Sequence, residues 1–208
     1  MAVFRCCRVV HEARHAALAW RTLRWKLEQA PAFRATVGPA LAEALEAVTF
    51  FPLLVFVVDD SHRATAYDVL SGERVMEFFQ GYGRGPGQLN YPRACALMRN
   101  EDQTLLFVSD DNHKIIVFDA ETDEFLRDFG SRGSANGQFI NPQGLAIAAT
   151  SDPPILYISD KKNHRIQVHE ALTGDYARTI DQGQGAELGQ LDRPIGVKLV
   201  SLSNPARE

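Results

Sequence analysis

The chain has 208 residues, 45% of them hydrophobic and 23% charged, which suits one folded domain with or without an appendage and excludes a chain disordered throughout. Its 22 Lys and Arg against 26 Asp and Glu give a net charge of −4 and a pI near 5.9, so the whole molecule has no electrostatic footprint for nucleic acid. The balance is uneven: residues 1–49 carry seven basic and four acidic side chains, or +3, and the remainder fifteen against twenty-two, or −7.

In chain order, residues 3–29 carry an apolar stripe at i, i+3/i+4 spacing, namely Val3, Cys7, Val10, Ala13, Ala17, Trp20, Leu23 and Leu27, which predicts an amphipathic helix. Pro31 ends it, and Gly38-Pro39 opens a second helix over Ala40 to Val48. This basic segment, 1–48, is expected to pack on or cap the rest of the protein. A partner-binding helix and an organelle-targeting segment are the other readings, the latter because the first 27 residues are rich in Arg with one acid. The longest apolar run, Ala47 to Val58, has 12 residues and contains Pro52. A membrane-spanning helix needs about 20, so no membrane span is expected, and the run reads as a buried strand with a lead-in. Three cysteines without a C-x-x-C spacing support neither a disulfide framework nor a zinc knuckle. With no N-x-[ST] sequon present, a reducing, cytoplasmic location is the expectation.

The second part is built on a repeat. Val57-Val58-Asp59-Asp60-Ser61-His62-Arg63 returns as Val108-Ser109-Asp110-Asp111-Asn112-His113-Lys114, and one residue longer as Ile158-Ser159-Asp160-Lys161-Lys162-Asn163-His164-Arg165. The histidines lie 51 residues apart both times. Gly87-Gln88-Leu89-Asn90-Tyr91-Pro92 keeps the same period through Gly137-Gln138-Phe139-Ile140-Asn141-Pro142 and Gly189-Gln190-Leu191-Asp192-Arg193-Pro194. In the clearest copy, Ala94 to Met98, Leu105 to Val108 and Ile115 to Phe118 read as short apolar strands. Asp110-Asp111-Asn112 is a turn, and Phe125 to Phe129 is an outer strand of mixed polarity ahead of the Gly-rich stretch 130–137. Four short antiparallel strands and a Gly-rich link make one blade, so residues 49–208 are expected to be all-β: a propeller or partial propeller with repeats at about 53–92, 93–142 and 143–194. Pro194 to Val200 is expected to begin a fourth blade.

Asn112-His113-Lys114-Ile115 and Asn163-His164-Arg165-Ile166, each behind a Ser-Asp strand end and ahead of a Gly-Gln-Phe/Leu linker with Pro, resemble NHL repeats over about residues 53–200. The resemblance implies a propeller, most often six-bladed, used mainly for binding. The first copy departs from the pattern, with Ser61 in place of Asn, Ala64-Thr65-Ala66 in place of the aliphatic run, and no clear leading strand; it reads as a degenerate or terminal blade. Three blades do not close a ring. The expected escapes are that the chain is a fragment of a longer product, that two copies associate, or that the N-terminal helices cap the open faces.

Several constellations bear on chemistry. His62, His113 and His164 recur once per blade and could converge on a zinc; amidating lyases that act on peptidyl-hydroxyglycine are NHL-like propellers with such a site. A hydrogen-bonded His at a strand-to-strand turn is the better reading, and no metal or cofactor is expected. Asp59, Asp110 and Asp160 each follow a strand and precede Arg63, Lys114 and Arg165, which reads as turn capping plus a local ion pair rather than acid/base catalysis. Gly81 to Gly87 lacks the helix start that a phosphate cradle needs, so it reads as an inter-blade linker. The expected function is therefore a non-catalytic scaffold that recognises a protein partner through its loops. The candidate contacts are Tyr82, Arg84, Asp111, Asn112, Lys114, Arg132, Lys161, Lys162 and Arg165. By resemblance, alternatives are the recognition part of a TRIM-type ubiquitin ligase, the zinc lyase, and an RNA-binding propeller; the net −7 of residues 50–208 argues against the last.

Overall fold

A computed structural model describes residues 53–100, 103–180, 184–185 and 187–200. The expected helices of residues 1–48 lie outside the described residues. Eleven strands run through the described part: β1 (Leu54–Asp59), β2 (Arg63–Asp68), β3 (Arg74–Phe78), β4 (Pro92–Arg99), β5 (Thr104–Asp110), β6 (Lys114–Asp119), β7 (Phe125–Phe129), β8 (Pro142–Ala148), β9 (Ile155–Asp160), β10 (Arg165–Glu170) and β11 (Tyr176–Ile180). They form three antiparallel sheets in simple sequential order, β1-β2-β3, β4 to β7 and β8 to β11. These are successive blades of a partial β-propeller. The place of a leading strand in the first blade falls outside the described residues.

The blades stack through alternation along their middle strands, since successive side chains of a strand point to opposite faces. In the second blade Leu106, Val108, Ile116 and Phe118 face the first blade, in a core with Ala64, Ala66 and Phe78. Leu105, Phe107, Ile115 and Val117 face the third, in a core with Leu145, Leu156 and Ile158. Burial on both faces explains why β5 and β6 read as continuous apolar runs. The linkers seal the joints: Leu89 and Phe139, fully buried, plug the first and second core respectively. The repeat extends to irregularities, with a bulge at Ala66/Tyr67, Val117/Phe118 and Val168/His169 in turn.

Three sequence expectations need correction. The run ending at Val58 is not a fully buried strand: β1 alternates, with Leu54, Phe56 and Val58 on the core and Val55 and Val57 exposed, because only one of its faces meets the next blade. Residues 194–200 form no ladder strand, although Ile195 lies where a fourth blade would begin. The Ser159 hydroxyl donates to the Ile195 carbonyl at 2.9 Å, as the Ser109 hydroxyl donates to the Gln143 carbonyl at 2.5 Å one blade earlier. The repeated Asp-to-cation pair forms once among the three copies. Arg165 binds Asp160, whereas Lys114 pairs with Asp128 and Arg63 with Glu77. Glu77 and Asp128 sit on the outer strand opposite Thr65 and Ile116; the third blade has Thr179 opposite Gln167 there and offers no competing charge.

Candidate functional site

One edge of the blades gathers the turns between their two middle strands and the linkers that lead into the next blade. Each recurring histidine makes this junction. His62, His113 and His164 adopt left-handed backbone angles of 65°, 65° and 56°, and their Nδ1 atoms accept the N–H of Tyr91, Asn141 and Arg193 at 3.0, 3.2 and 3.2 Å. Those partners, each just before a proline, are also left-handed, so two strained residues hold each other across the blade boundary. The imidazoles are thus spread one per junction. Among the described residues no group of three His, Cys, Asp or Glu is placed to hold a metal ion.

The aspartates tie down each blade's own entry linker. Asp110 and Asp160, both fully buried, accept the N–H of Asn90 and Ile140 at 2.7 and 2.8 Å. Asp110 also accepts the N–H of Asn112. Asp160 further receives Asn163 Nδ2 at 2.7 Å, Arg165 Nε at 3.0 Å and Gln167 Nε2 at 3.3 Å. Desolvation raises the Asp110 carboxyl to about 6, with the two backbone N–H groups opposing. Asp59 is exposed and accepts from Ser61. The asparagines pin the linkers sideways: Asn112 Nδ2 donates to the Gly83 carbonyl at 2.6 Å, and Asn163 Nδ2 to the Gly133 carbonyl at 2.9 Å. Each linker is closed on itself, with Gly83, Gly133 and Gly185 so near the amides of Gln88, Gln138 and Gln190 that a Cβ would overlap them. That contact accounts for the Gln of the Gly-Gln phrase, while its glycines, Gly87, Gly137 and Gly189, take left-handed backbone angles. In the Gly81–Gly87 loop the Gly83 and Gly85 N–H groups go to Leu89 and Gln88, so they are not held out for a phosphate.

The nine candidate contact residues divide on this edge. Asp111, Asn112, Lys114 and Arg165 are engaged internally. Asp111 bridges Arg93 and Asn141, and Arg165, nearly buried, also donates to the carbonyls of Ser134, Ala135 and Gln138. Tyr82, Arg84, Arg132 and Lys162 are exposed and Lys161 is half-buried. Arg132, Arg84 and Lys162 come from three different segments, yet all lie near enough to His113 to disfavour its protonation, a smaller effect than its burial and one that Asp111 opposes. Tyr82 packs on His62 with ring centres 4.5 Å apart and planes tilted by 46°, and Tyr91 meets the same imidazole edge-on at 4.4 Å.

At the far end of this edge lies an open depression of about 420 Å³ lined by Lys161, Lys162, His164 and Arg193. Sequence reasoning missed Arg193. Its signal was its place in the repeat, directly before Pro194, where Tyr91 and Asn141 precede Pro92 and Pro142. The Asp192 carboxylate stands 3.1 Å from His164 Nδ1, but that nitrogen already accepts the Arg193 N–H and so carries no proton; we read the contact as proximity rather than an ion pair.

No family model matches the chain, and no curated protein matches it. Solved structures that it resembles include the WD40 repeats of RRP9, at 17% identity and a TM-score of 0.48 over 61% of this chain and 34% of that one. They also include U3-55K, at 18% and 0.49 over 62% and 36%, and the Kuenenia stuttgartiensis hydrazine synthase, at 18% and 0.45 over 61% and 32%. The chain spans about a third of the length of each.

Proposed function

We propose that this chain is a non-catalytic interaction platform of NHL type, which recognises a protein partner through the edge where its turns and linkers meet. The observation that carries this reading is the convergence of Arg84, Arg132, Lys161, Lys162 and Arg193, from four separate segments, on one edge of the blades. None of the five side chains enters an ion pair among the described residues, whereas Arg63, Arg74, Arg93, Lys114 and Arg165 all do. Rigid strands fix the positions of these loops while the loop residues vary from copy to copy, the usual arrangement of a recognition surface. The NHL-type assignment rests on the Asn-His and Gly-Gln phrases, whose residues each have a structural duty.

Affinity capture with the intact chain tests the reading, set against a triple variant Arg84→Ala, Arg132→Ala, Lys162→Ala that keeps the same unfolding midpoint. A defined set of proteins retained by the former and lost by the latter is expected. An unchanged set would remove this edge as the recognition surface.

A further inference from the structure

The depression at the third blade has a counterpart one junction earlier, and the two differ in one informative respect. At the earlier junction the turn residue is Asp111 and the residue before the proline is Asn141. The Asp111 carboxylate joins the two, accepting Asn141 Nδ2 at 2.6 Å and pairing with Arg93. At the later junction the equivalent residues are Lys161 and Arg193, so cation faces cation and no carboxylate of the turn closes the gap. The backbone is the same in both, since Asn141 and Arg193 each give their N–H to the histidine of the preceding turn. The earlier junction thus fills its niche with a carboxylate of its own turn, and the later turn does not supply one.

We propose that the depression lined by Lys161, Lys162, His164 and Arg193 seats an acidic side chain, Asp or Glu, from an acidic segment of a protein partner. This rests on the reading of the edge as a recognition surface and names its ligand class. A volume of about 420 Å³ accommodates one or two carboxylate side chains rather than a long strand. Because His164 Nδ1 accepts a backbone N–H, the neutral ring carries its proton on Nε2, which gives the depression a neutral donor beside its three cations. Charge-assisted bonds from Lys and Arg to a carboxylate are the strong class of polar contact. Asp192, 63% exposed and close to His164, adds a negative charge that weakens the pull of the depression on a visiting carboxylate. A nucleic-acid strand fits less well. The depression has no Phe, Tyr or Trp in its lining on which a base could stack.

The test uses the intact 208-residue chain and a fluorescein-labelled peptide with a run of glutamates flanked by Gly and Ser, followed by anisotropy at about 50 mM salt, where screening is modest. Lys162→Glu or Arg193→Glu is expected to weaken binding by about tenfold or more, the loss of a charge-assisted contact together with a new repulsion. Arg178→Glu, the same charge change on the exposed outer strand β11, is expected to change it less than about twofold, and Asp192→Asn to strengthen it severalfold. No binding, or an equal loss with Arg178→Glu, overturns the proposal. So does tighter binding of a uridine oligonucleotide, or displacement by inorganic phosphate at concentrations where acetate has no effect. If the peptide fails while the captured partners still depend on Arg84, Arg132 and Lys162, the acidic-ligand assignment falls and the recognition edge stands.

Discussion

The second and third blades place the same aspartate in the same register, with Asp110 opposite Lys114 and Asp160 opposite Arg165, yet they solve its burial differently. Arg165 gives Nε to Asp160 and its two terminal nitrogens to three carbonyls of the 134–138 linker, so one guanidinium neutralises the acid and ties down the loop. Lys114 has one compact charge and spends it on Asp128 at 3.0 Å, across on the outer strand. Asp110 is left with backbone N–H donors and no cation bound to it, and burial pushes its carboxyl up to about 6. The fold thus accepts either a closed buried pair or an unpaired acid at this point. What decides between them is the residue fourteen positions beyond the cation, Asp128 in one blade and Thr179 in the other.

The largest expected effect comes from breaking the closed pair. Arg165→Met should cost about 3–5 kcal/mol in urea unfolding, because it strands a buried carboxylate and releases three carbonyls at once. Arg165→Lys should fall between the variant and the parent, since an ammonium cannot fork to the linker as a guanidinium does. A loss below about 1 kcal/mol for Arg165→Met would show that the pair merely offsets its own desolvation, and the contrast between the blades would then carry no energetic weight.

The pH dependence comes next. The Asp110 carboxyl stands at about 6 in the folded chain against an ordinary 3.8. As pH rises through that window the unfolded chain ionises first, so this group's contribution to stability falls between about pH 4 and 6 and levels off above. The total is roughly 3 kcal/mol at 1.36 per unit. Asp128→Thr copies the third blade's outer strand and frees Lys114 to turn toward Asp110. It forfeits a partly exposed ion pair worth at most about 1 kcal/mol. The stability of Asp128→Thr minus that of the parent should therefore rise from pH 4 to 6, and more steeply when Lys114→Arg is added. Parallel curves would mean that Asp110 is not the titrating group.

Much of the fold was legible because the repeated phrases each answer to a local constraint. The Asn-His phrase marks a left-handed turn that also pins a linker, and the Gly-Gln phrase marks a left-handed glycine followed by an amide that packs on an earlier glycine of the same loop. The apolar runs Leu105–Val108 and Ile115–Phe118 reported burial on both faces of the middle blade. The ion pairs were not legible, because Asp followed by a cation four or five residues later looks alike in all three copies. The outcome is set across the sheet by Glu77, Asp128 and Thr179, which only register brings opposite. A third phrase also went unread: Gly72, Asp123 and Gly174 take the same left-handed place in the turn before each outer strand, and two residue types share it. The edge where turns and linkers meet was half legible. Tyr82, Arg84, Arg132, Lys161 and Lys162 do lie on it, but Asp111 and Asn112 are spent on internal bonds, and Arg193 was hidden by a position that holds Tyr and Asn in the other copies.

The smallest effects separate the histidine junctions from one another. Removing His113 to Ala deletes one hydrogen bond to Asn141 and should cost about 1 kcal/mol. His62 makes the same bond to Tyr91 but also packs on Tyr82 and meets Tyr91 edge-on, contacts worth about 0.5–1.5 kcal/mol more. His62→Ala should therefore be the costlier of the two by that margin, and His62→Asn, which tolerates the left-handed backbone but lacks the ring, should recover little of it. The junctions share no side chain in these contacts, so the double variant should lose the sum of the two single losses to within about 0.5 kcal/mol. A double variant clearly less destabilised than that sum would mean that opening one junction already loosens the next, and that the blades do not hold one another independently.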